Sequence, residues 1–362
     1  MANSPLKVAV IGMGGIGHTH AACHQNDALS ELVCVCDLIK DKADEAAEKF
    51  GVPAFYSLKE VLNAHPELDI IDVTTGGLEN GSWHYEPVMQ ALDAGKHVLT
   101  EKPISNNILE AREMVKFATD KKLYLGCNLN HYFSGPADKA RELIADDKIG
   151  EQVYSLTKVG FNGSTVNPSI TDRNSRWQLP YSHAKAFLTH PFSVMRHFSG
   201  DISHVQAFMD KPGARRQSSD LMLSIQSIHV RFQNGCVGYL LSQRGDAHFG
   251  LGGWWSFELA GTKGTFCIEN CVEKLTYWTK DKEPEVFNTG VTDFGATFPI
   301  RIHAFLEDVT NGVPREHLRA SGRDALATME YIFAAIDSYE SGGEIVRPNA
   351  LPPYHGDAGI IH

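Results

Sequence analysis

The sequence predicts an α/β protein with a doubly wound parallel sheet in its N-terminal part and an α+β C-terminal part built on a large, mostly antiparallel open sheet. Two patterns support this prediction. Strand and helix signals alternate over the first 125 residues, and longer, alternating strands follow residue 150. A chain of 362 residues is also long enough for two domains. We therefore expect one domain at 1–125 and a second at 126–362.

The first part alternates short apolar strands with polar helices. Strands are predicted at 7–12, 31–37, 69–75, 96–101 and 121–128, and helices at 16–26, 41–50 and 83–94. The run ELVCVCD is apolar almost throughout, as expected of a parallel strand that is covered on both faces. Gly51 supplies the stop signal for the helix at 41–50.

The second part has a different pattern. Longer, alternating segments occur at 151–163, 202–210, 221–232 and 236–244, and residues 254–270 resemble a hairpin. Asn234-Gly235 is a strong two-residue turn signal. These features predict an antiparallel sheet with one packed and one more open face. Helices are predicted at 136–146, 190–199, 299–311 and 321–341, and a long loop at 162–186.

Composition and charge exclude several classes of function. The formal net charge is -11, which argues against a nucleic-acid partner. No apolar run reaches the ~18–20 residues of a membrane span. MANSPLK leaves no room for a signal peptide, so we expect a cytoplasmic protein. The seven cysteines form no C-x-x-C pair and are expected to be buried and reduced, and no histidine spacing predicts a metal.

A glycine loop follows the first strand directly and opens a helix, which is the context of the dinucleotide-binding Rossmann fingerprint. In Gly12-x-Gly14-x-x-Gly17, the glycines allow a tight turn, close approach of a pyrophosphate, and close helix packing. The second strand ends in Asp37, whose carboxylate suits ribose hydroxyls and repels a 2′-phosphate. NAD is therefore predicted over NADP. The alternative is a plain strand-to-helix turn, with Asp37 capping the next helix.

A second motif is ALDAGKHVLTEKP at 91–103. Together with the glycine loop, His20 and the segment at 322–346, it resembles the Gfo/Idh/MocA oxidoreductases, the family of glucose–fructose oxidoreductase and inositol dehydrogenase. The resemblance extends over nearly the whole chain. It implies an N-terminal NAD-binding Rossmann domain, a C-terminal domain for substrate binding and oligomerisation, and a cis peptide bond between Lys102 and Pro103.

Lys102 follows a predicted strand, so it is expected at the carboxyl edge of the parallel sheet, where nucleotide clefts form. An ammonium group beside a substrate hydroxyl stabilises the alkoxide that develops as hydride leaves. Pro103 fixes the direction of the chain after it. The alternative for Lys102 is a solvated lysine in a surface turn.

The resemblance also implies a catalytic histidine. Members of the family carry Asp-x-x-x-His at the start of a helix that matches residues 187–201 here, which places the histidine at His190 and the aspartate at Ala186. His190 could still act as a general base, since an imidazole titrates near neutral pH. The candidates to orient it are Lys185, His183 and Tyr132. The alternative is a buried structural histidine.

Together, the motifs and the resemblance give a full set of expected contacts. For the cofactor they are Gly12, Met13, Gly14, Gly15, Ile16, Gly17, Asp37, Leu38, Thr74, Thr75, His84, Glu101, Lys102 and Asn130. For the substrate they are Lys102, His131, Tyr132, Arg176, Trp177, His183, Lys185 and His190. Aromatic faces beside hydrogen-bonding groups suit a sugar ring, although 171–185 could also be an ordinary surface loop.

The predicted function is an NAD-dependent dehydrogenase that oxidises a secondary hydroxyl of a sugar, glycoside or cyclitol, assembled as a homo-dimer or homo-tetramer through the C-terminal sheet. One alternative uses transient sugar oxidation, with tightly held NAD, for elimination or glycoside cleavage. Another is a nucleotide-sensing protein that has lost catalysis. Ala186 favours the second alternative, and the intact Glu101-Lys102-Pro103 opposes it. The sequence leaves open the sugar, the carbon, the direction of reaction and the role of the tail at 351–362.

Overall fold

The computed structural model describes residues 4–77, 81–161, 179–212, 216, 221–245, 247–248 and 253–352. They form two compact units. The first comprises Met1–Leu129, Phe298–Leu326 and the described part of Ala350–His362, and the second comprises Asn130–Thr297 and Ala327–Asn349. The chain thus returns to the first unit after completing most of the second. The division into domains at 1–125 and 126–362 stays a prediction.

The elements follow in chain order. The strands are β1 Leu6–Ile11, β2 Ser30–Cys36, β3 Ala54–Phe55, β4 Ile70–Val73, β5 His97–Thr100, β6 Leu125–Cys127, β7 Gln152–Phe161, β8 Ile202–Asp210, β9 Ile225–Phe232, β10 Val237–Arg244, β11 Trp255–Gly261, β12 Gly264–Glu269, β13 Lys274–Thr279 and β14 Glu285–Asn288. The helices are α1 Gly15–Asn26, α2 Lys40–Phe50, α3 Leu58–Ala64, α4 Tyr85–Asp93, α5 Ile108–Asp120, α6 Gly135–Ala145, α7 Ser182–Phe187, α8 Thr189–Ser199, α9 Thr297–Thr310 and α10 Gly322–Glu340.

The first unit holds the predicted doubly wound parallel sheet. Its strand order is β3-β2-β1-β4-β5-β6, and every pairing is parallel. Strands such as β4 are buried at every position, because helices cover both faces of a parallel sheet. The prediction of a Rossmann sheet is confirmed.

Residues 298–326 complete the core of the first unit. Ile302 and Phe305 of α9 pack with Val8, Ile70 and Leu99 from the central strands. The fully buried Arg301 ties α9 to the end of β6: its guanidinium donates to Cys127 O at 3.1 and 3.0 Å and to Ala320 O at 3.0 Å. A charge can be buried here because it is hydrogen bonded.

The second unit is built on an eight-stranded sheet with the order β14-β13-β12-β11-β7-β10-β9-β8. Among its described strands, only β7 and β10 pair in parallel, so the sheet is mostly antiparallel, as predicted. Buried and exposed positions alternate along β9 and β12, which gives one packed face and one open face. Asn234-Gly235 lies in the hairpin between β9 and β10, as predicted.

Several elements differ from the predictions. β3, α3, α5, β13 and β14 were not predicted, and the strand expected at 121–128 is only Leu125–Cys127. The loop expected at 162–186 is wrong at its end, because α7 begins at Ser182; the small residues of SHAKAF permit a short helix that is buried at most positions. Residues 162–178 lie outside the described residues.

The cysteines agree with the prediction of reduced thiols. All seven are free; five are buried, and Cys23 and Cys267 are partly buried. Burial raises the pKa of each thiol, so these groups stay protonated near neutral pH. No described helix combines the length and the apolar character that a membrane span requires.

Candidate active site

The glycine loop joins β1 to α1, and its glycines serve two purposes. Gly12 has a φ of 99°, and a Cβ on it would come within 2.7 Å of the Thr75 backbone nitrogen. A Cβ on Gly17 would lie 2.0 Å from Gly12 O. Gly14 and Gly15 differ, because a Cβ there would meet no atom within 4 Å. Gly12 and Gly17 therefore permit close packing of the chain, and Gly14 and Gly15 leave the backbone of the loop open.

The start of α1 fits a phosphate group. Gly14 at the N-cap makes no side-chain capping bond, and the first turn has no acidic residue. N–H groups without a side-chain cap at a helix start bind anions, and the helix dipole favours negative charge there. With Gly14 and Gly15 leaving the backbone open, this loop can hold the pyrophosphate of a dinucleotide.

Asp37 follows β2 and contacts the glycine loop. Its Oδ2 accepts a hydrogen bond from the backbone N–H of Met13 at 2.7 Å, and its Oδ1 accepts one from Ile39 at 2.8 Å. Each carboxylate oxygen keeps further acceptor capacity, so this partly exposed side chain can still accept from ribose hydroxyls. Leu38 is 85% exposed and offers an apolar surface beside it. The arrangement fits an adenosine without a 2′-phosphate.

Thr74, Thr75 and His84 support the loops beside the glycine turn. Thr74 Oγ1 donates to Gly12 O at 2.7 Å, and Thr75 Oγ1 donates to Trp83 O at 2.8 Å. His84 is buried; its Nδ1 lies 2.7 Å from Pro103 O and its Nε2 lies 2.5 Å from Thr75 O. Burial lowers the pKa of His84. The cofactor contacts expected of all three stay predictions.

Lys102 comes directly after Glu101 at the end of β5, and the Lys102–Pro103 peptide is cis, as the family resemblance implied. Strands β1, β4 and β5 are neighbours in the parallel sheet. Their carboxyl ends therefore meet at one edge, where ligands bind in open α/β sheets. The structure thus brings the glycine loop, Thr74 and partly buried Lys102 to a single sheet edge.

A cluster of buried polar side chains, not predicted as a unit, lies at this edge. We call it the buried charge cluster; its members are His20, His24, Asp72, Glu101 and Asn128. His20 Nδ1 lies 2.8 Å from Asp72 Oδ2, and His20 Nε2 lies 3.1 Å from Glu101 Oε1. His24 Nε2 also reaches Asp72 Oδ2, at 2.8 Å. Asn128 Nδ2 donates to Glu101 Oε1, and Glu101 Oε2 accepts from the backbone N–H of Lys102 at 3.0 Å.

The cluster shifts the pKa values of His20, Asp72 and Glu101. Burial alone would lower the pKa of His20, but the charges and hydrogen bonds of Asp72 and Glu101 outweigh it and raise the pKa to about 10. Burial would raise the pKa of Asp72, and the opposing effects of His20 and His24 hold it at about 2. The pKa of Glu101 is lowered despite its burial, chiefly by the hydrogen bond from His20. His20 is therefore a charged imidazole between two carboxylates.

In the second unit, His190 lies in the first turn of α8 and stacks on His131. The two ring centroids are 3.6 Å apart and the ring planes differ by 4°, and both side chains are almost fully buried. Phe187 packs edge-on against His190, and Phe294 packs edge-on against His131. The structure therefore gives His190 a neighbour that fixes the plane of its ring.

The structure gives contacts for the three residues expected to orient His190, and the orienting role stays a prediction. Tyr132 stacks on His197 with the ring centroids 4.2 Å apart. His183 Nε2 lies 3.0 Å from Ser242 Oγ, and the Lys185 ammonium lies 5.6 Å from the centre of the Phe333 ring. His131, predicted as a substrate contact, is the imidazole that stacks on His190.

The remaining expected residues fall into two groups. Ala186 is buried in α7, so the position of the family aspartate holds a methyl group. Asn130 is buried, and its amide donates to Thr297 Oγ1 at 2.8 Å. Arg176 and Trp177 lie outside the described residues. Within the described ranges, no three His, Cys, Asp or Glu side chains are grouped as they would be to hold a metal ion.

Two family models match the chain. Residues 6–129 match "Oxidoreductase family, NAD-binding Rossmann fold", and residues 137–267 match "GFO/IDH/MocA C-terminal domain". The two models belong to one family and follow each other in the expected order.

The chain is similar to curated proteins that act on sugars and cyclitols. It is 32% identical over 160 residues to D-glucoside 3-dehydrogenase of Escherichia coli K12, a match that covers 43% of this chain and 44% of that protein. It is 24% identical to myo-inositol 2-dehydrogenase of Thermotoga maritima over 354 residues, covering 92% and 96% of the two chains. The first match thus spans less than half of the glucoside dehydrogenase.

A solved structure shares the fold. Levoglucosan dehydrogenase in complex with NADH and levoglucosan aligns with a TM-score of 0.81 and 20% identity, covering 95% of this chain and 99% of that one. At this identity, the likeness shows the fold alone.

Proposed function

Because the chain belongs to the Gfo/Idh/MocA oxidoreductase family, we propose that it is an NAD-dependent dehydrogenase that oxidises a secondary hydroxyl of a sugar, glycoside or cyclitol. The observation that carries the proposal is the position of Lys102. It follows β5 at the edge of the sheet where β1 ends in the open glycine loop. An ammonium group there is next to the backbone that fits a dinucleotide.

The cofactor role is supported by the first unit. The open backbone of Gly14 and Gly15 and the first turn of α1 suit the pyrophosphate, and Asp37 suits the ribose hydroxyls. NAD, when bound, supplies a nicotinamide ring that accepts hydride. Because a carboxylate repels a 2′-phosphate, we expect NAD to be preferred over NADP.

Two residues are proposed to handle the substrate hydroxyl. Lys102 donates a hydrogen bond to its oxygen and stabilises the negative charge that develops there. His190 accepts the proton, for which an imidazole is suited near neutral pH. In place of the aspartate that relatives carry at Ala186, the stacked ring of His131 holds the plane of His190.

The substrate class rests on the relatives. Glucosides, myo-inositol and levoglucosan all present a ring with secondary hydroxyls, and each occurs in the name of a protein to which this chain is similar. We therefore propose a cyclic polyol as the small-molecule partner and propose neither a nucleic acid nor a membrane as a partner.

We also propose that the chain forms a homo-dimer or homo-tetramer through the open face of the second sheet. Leu156, Phe208 and Val237 lie on this face and are 45%, 57% and 52% exposed. Exposed apolar side chains on one face of a sheet are a feature of association surfaces. Molar mass measured in solution should be two or four times that of one chain; a monomer would contradict this.

The reduced thiols support a cytoplasmic location.

The direct test is a panel of sugars, glycosides and inositols, each offered with NAD and with NADP while NADH or NADPH absorbance is followed. We expect turnover with NAD on at least one cyclic polyol and weaker turnover with NADP. Protein purified with NAD bound and producing no net NADH would instead indicate transient oxidation for elimination or glycoside cleavage. NAD binding without any turnover would indicate a nucleotide-sensing protein.

Lys102→Ala tests the central residue. Removing one preorganised donor at a developing oxyanion lowers kcat by about 100- to 1,000-fold. NAD binding should stay within about threefold, because the glycine loop and Asp37 provide it. Lys96→Ala, just before β5, is the matched control, since Lys96 Nζ bonds only to a surface carbonyl of Pro66 in the described contacts. Normal turnover of Lys102→Ala would refute the proposed mechanism.

A further inference from the structure

His20 lies where three elements of the parallel-sheet unit meet. It belongs to the buried face of α1, one turn before His24. Asp72 comes from β4, and Glu101 follows the neighbouring strand β5. His20 is fully buried and reaches both carboxylates, at 2.8 Å to Asp72 and 3.1 Å to Glu101. A single imidazole therefore connects a helix to two strands.

The contacts define the protonation state of this ring. A neutral imidazole carries one N–H, so it could donate to only one of the two carboxylates. The other nitrogen would then face a carboxylate oxygen with two lone pairs opposed. Asn128 Nδ2 lies 3.3 Å from His20 Nε2 and donates to the same Glu101 oxygen, so a neutral ring could accept from Asn128 but would still hold its lone pair 3.1 Å from the carboxylate. Both carboxylate contacts are hydrogen bonds only when both ring nitrogens carry protons.

Glu101 connects His20 to the backbone of Lys102, the residue that follows it. One carboxylate oxygen accepts from His20 and Asn128, and the other accepts from the backbone N–H of Lys102 at 3.0 Å. On the far side of Lys102, the Pro103 carbonyl accepts from His84 at 2.7 Å. The peptide group before Lys102 and the peptide group after Pro103 are thus held by two buried side chains, Glu101 and His84.

We propose that His20 is a positioning residue for Lys102: as an imidazolium it ties Glu101 to Asp72, and Glu101 in turn holds the backbone that carries the lysine. This inference rests on the proposed function, in which Lys102 acts on the substrate hydroxyl. It explains why a charged histidine is buried beneath a sheet edge, where an apolar side chain would fill the same space.

The charges around His20 indicate what its removal would do. Asp72 and Glu101 carry negative charge, His24 lies on the other side of Asp72, and Lys102 and His84 lie near Glu101. The thiols of Cys23 and Cys127, near Asp72 and Glu101, stay protonated because burial raises the pKa of each. Without the imidazolium, two buried carboxylates would face each other, and Glu101 would take up a proton more readily. A protonated Glu101 holds the Lys102 backbone less firmly.

The first measurement needs no catalysis. In wild-type protein labelled with ¹⁵N-histidine, NMR should show one imidazole with both nitrogens protonated that does not titrate up to pH 8.5. The signal should be lost in His20→Gln and kept in His24→Gln. If every histidine in the wild type loses its second proton below that pH, the proposal is overturned. This outcome is independent of whether a substrate has been found.

The second measurement compares kcat. His20→Gln should lower kcat about 10- to 100-fold, as misplacement of a catalytic group does, with KM for NAD within about threefold. His24→Gln is the matched control: it lies on the same helix face and bonds to Asp72 but does not contact Glu101 in the described structure, so kcat should stay within about threefold. Equal losses in the two variants would show a general packing role and overturn the proposal.

A double variant completes the test. Once Glu101→Gln has removed the carboxylate, His20→Gln should have little further effect on kcat, because both changes break the same chain of contacts. Fully additive effects would contradict the proposal. If His20→Gln does not fold, the wild-type spectrum and Glu101→Gln still decide, since His20 in that variant should lose its second proton at a lower pH than in the wild type. If the wild type turns over none of the substrates offered, the proposed function is contradicted. The NMR result then tests the protonation state of His20 by itself.

Discussion

His20 and His190 are both buried imidazoles, but their surroundings differ in kind. His20 lies between two carboxylates, at 2.8 and 3.1 Å. His190 lies flat against a second imidazole, with the ring centroids 3.6 Å apart, and an aromatic ring packs against its edge. The first environment attracts a second proton to the ring, and the second places aromatic rings against the face and the edge of the imidazole.

The difference shows how one residue type can serve two purposes in a single chain. Burial alone lowers the pKa of any histidine, because it penalises the charged form. At His20 the carboxylates reverse this effect and raise the pKa to about 10, so the ring acts as a fixed charge. At His190, two imidazolium rings so close would repel by roughly 4–5 kcal/mol at an effective dielectric constant of about 20. That repulsion disfavours simultaneous protonation of the two rings, and a general base requires a neutral ring.

The largest effect that tests this contrast is expected at His190. His190→Asn removes the proposed base, so kcat should fall about 100- to 10,000-fold while NAD affinity is retained. His197→Asn is the control, since His197 lies two turns later in the same helix and stacks on Tyr132. Steady-state kinetics and NAD titration measure both variants. A His190→Asn enzyme with normal turnover would show that His190 is only structural.

The stacked partner should have a smaller effect, and two substitutions separate its possible roles. His131→Phe keeps an aromatic face against His190, so kcat should change by less than about threefold. His131→Ala removes the face, and the loss of stacking should lower kcat by about 2- to 10-fold. If Phe and Ala reduce kcat equally, the imidazole of His131 contributes by hydrogen bonding, and stacking does not explain its position.

Much of the fold could be predicted from local pattern. The glycine loop, the apolar strands and the Asn234-Gly235 turn each depend on neighbouring residues, and each is confirmed. Helix α5 was not predicted, although the sequence contains a start signal for it. Asn107 is an N-cap residue, and its side chain accepts a hydrogen bond from Leu109 N–H. Strand β14 was missed because all four of its residues are exposed, and an exposed strand lacks the alternating pattern on which such predictions depend.

The candidate site was predictable only in part. Motifs that follow a strand, such as Gly12–Gly17 and Lys102, are located by the rule that parallel strands end at one edge. The contacts of His20 join residues 52 and 81 positions away, and His131 and His190 are 59 apart. No local spacing encodes these pairs. One signal was available: Asp72 is a charged residue in a fully buried strand, so it requires a buried partner.

The smallest effect concerns stability, and it is specific to the buried charge cluster. The folded-state pKa of His20, about 10, lies above its unfolded value of 6.5, so its contribution is complete below pH 6.5 and is lost as pH rises towards 10. In that range the native state holds one proton more, and stability should fall by up to about 1.4 kcal/mol per pH unit. Asp72, with a pKa of about 2 against 3.8, acts in the opposite direction and matters only below about pH 4.

The free energy of unfolding in urea, measured at pH 6.5 and at pH 9, gives the test. The gap in unfolding free energy between wild type and His20→Gln should narrow at the higher pH, because only in the wild type must His20 take up a proton on folding, and this costs more as the pH rises. His190→Asn is measured alongside as the comparison, because the described contact of its ring is a stacked imidazole. A constant gap for His20→Gln would mean that His20 is neutral in the native state, and the contrast between the two histidines would then disappear.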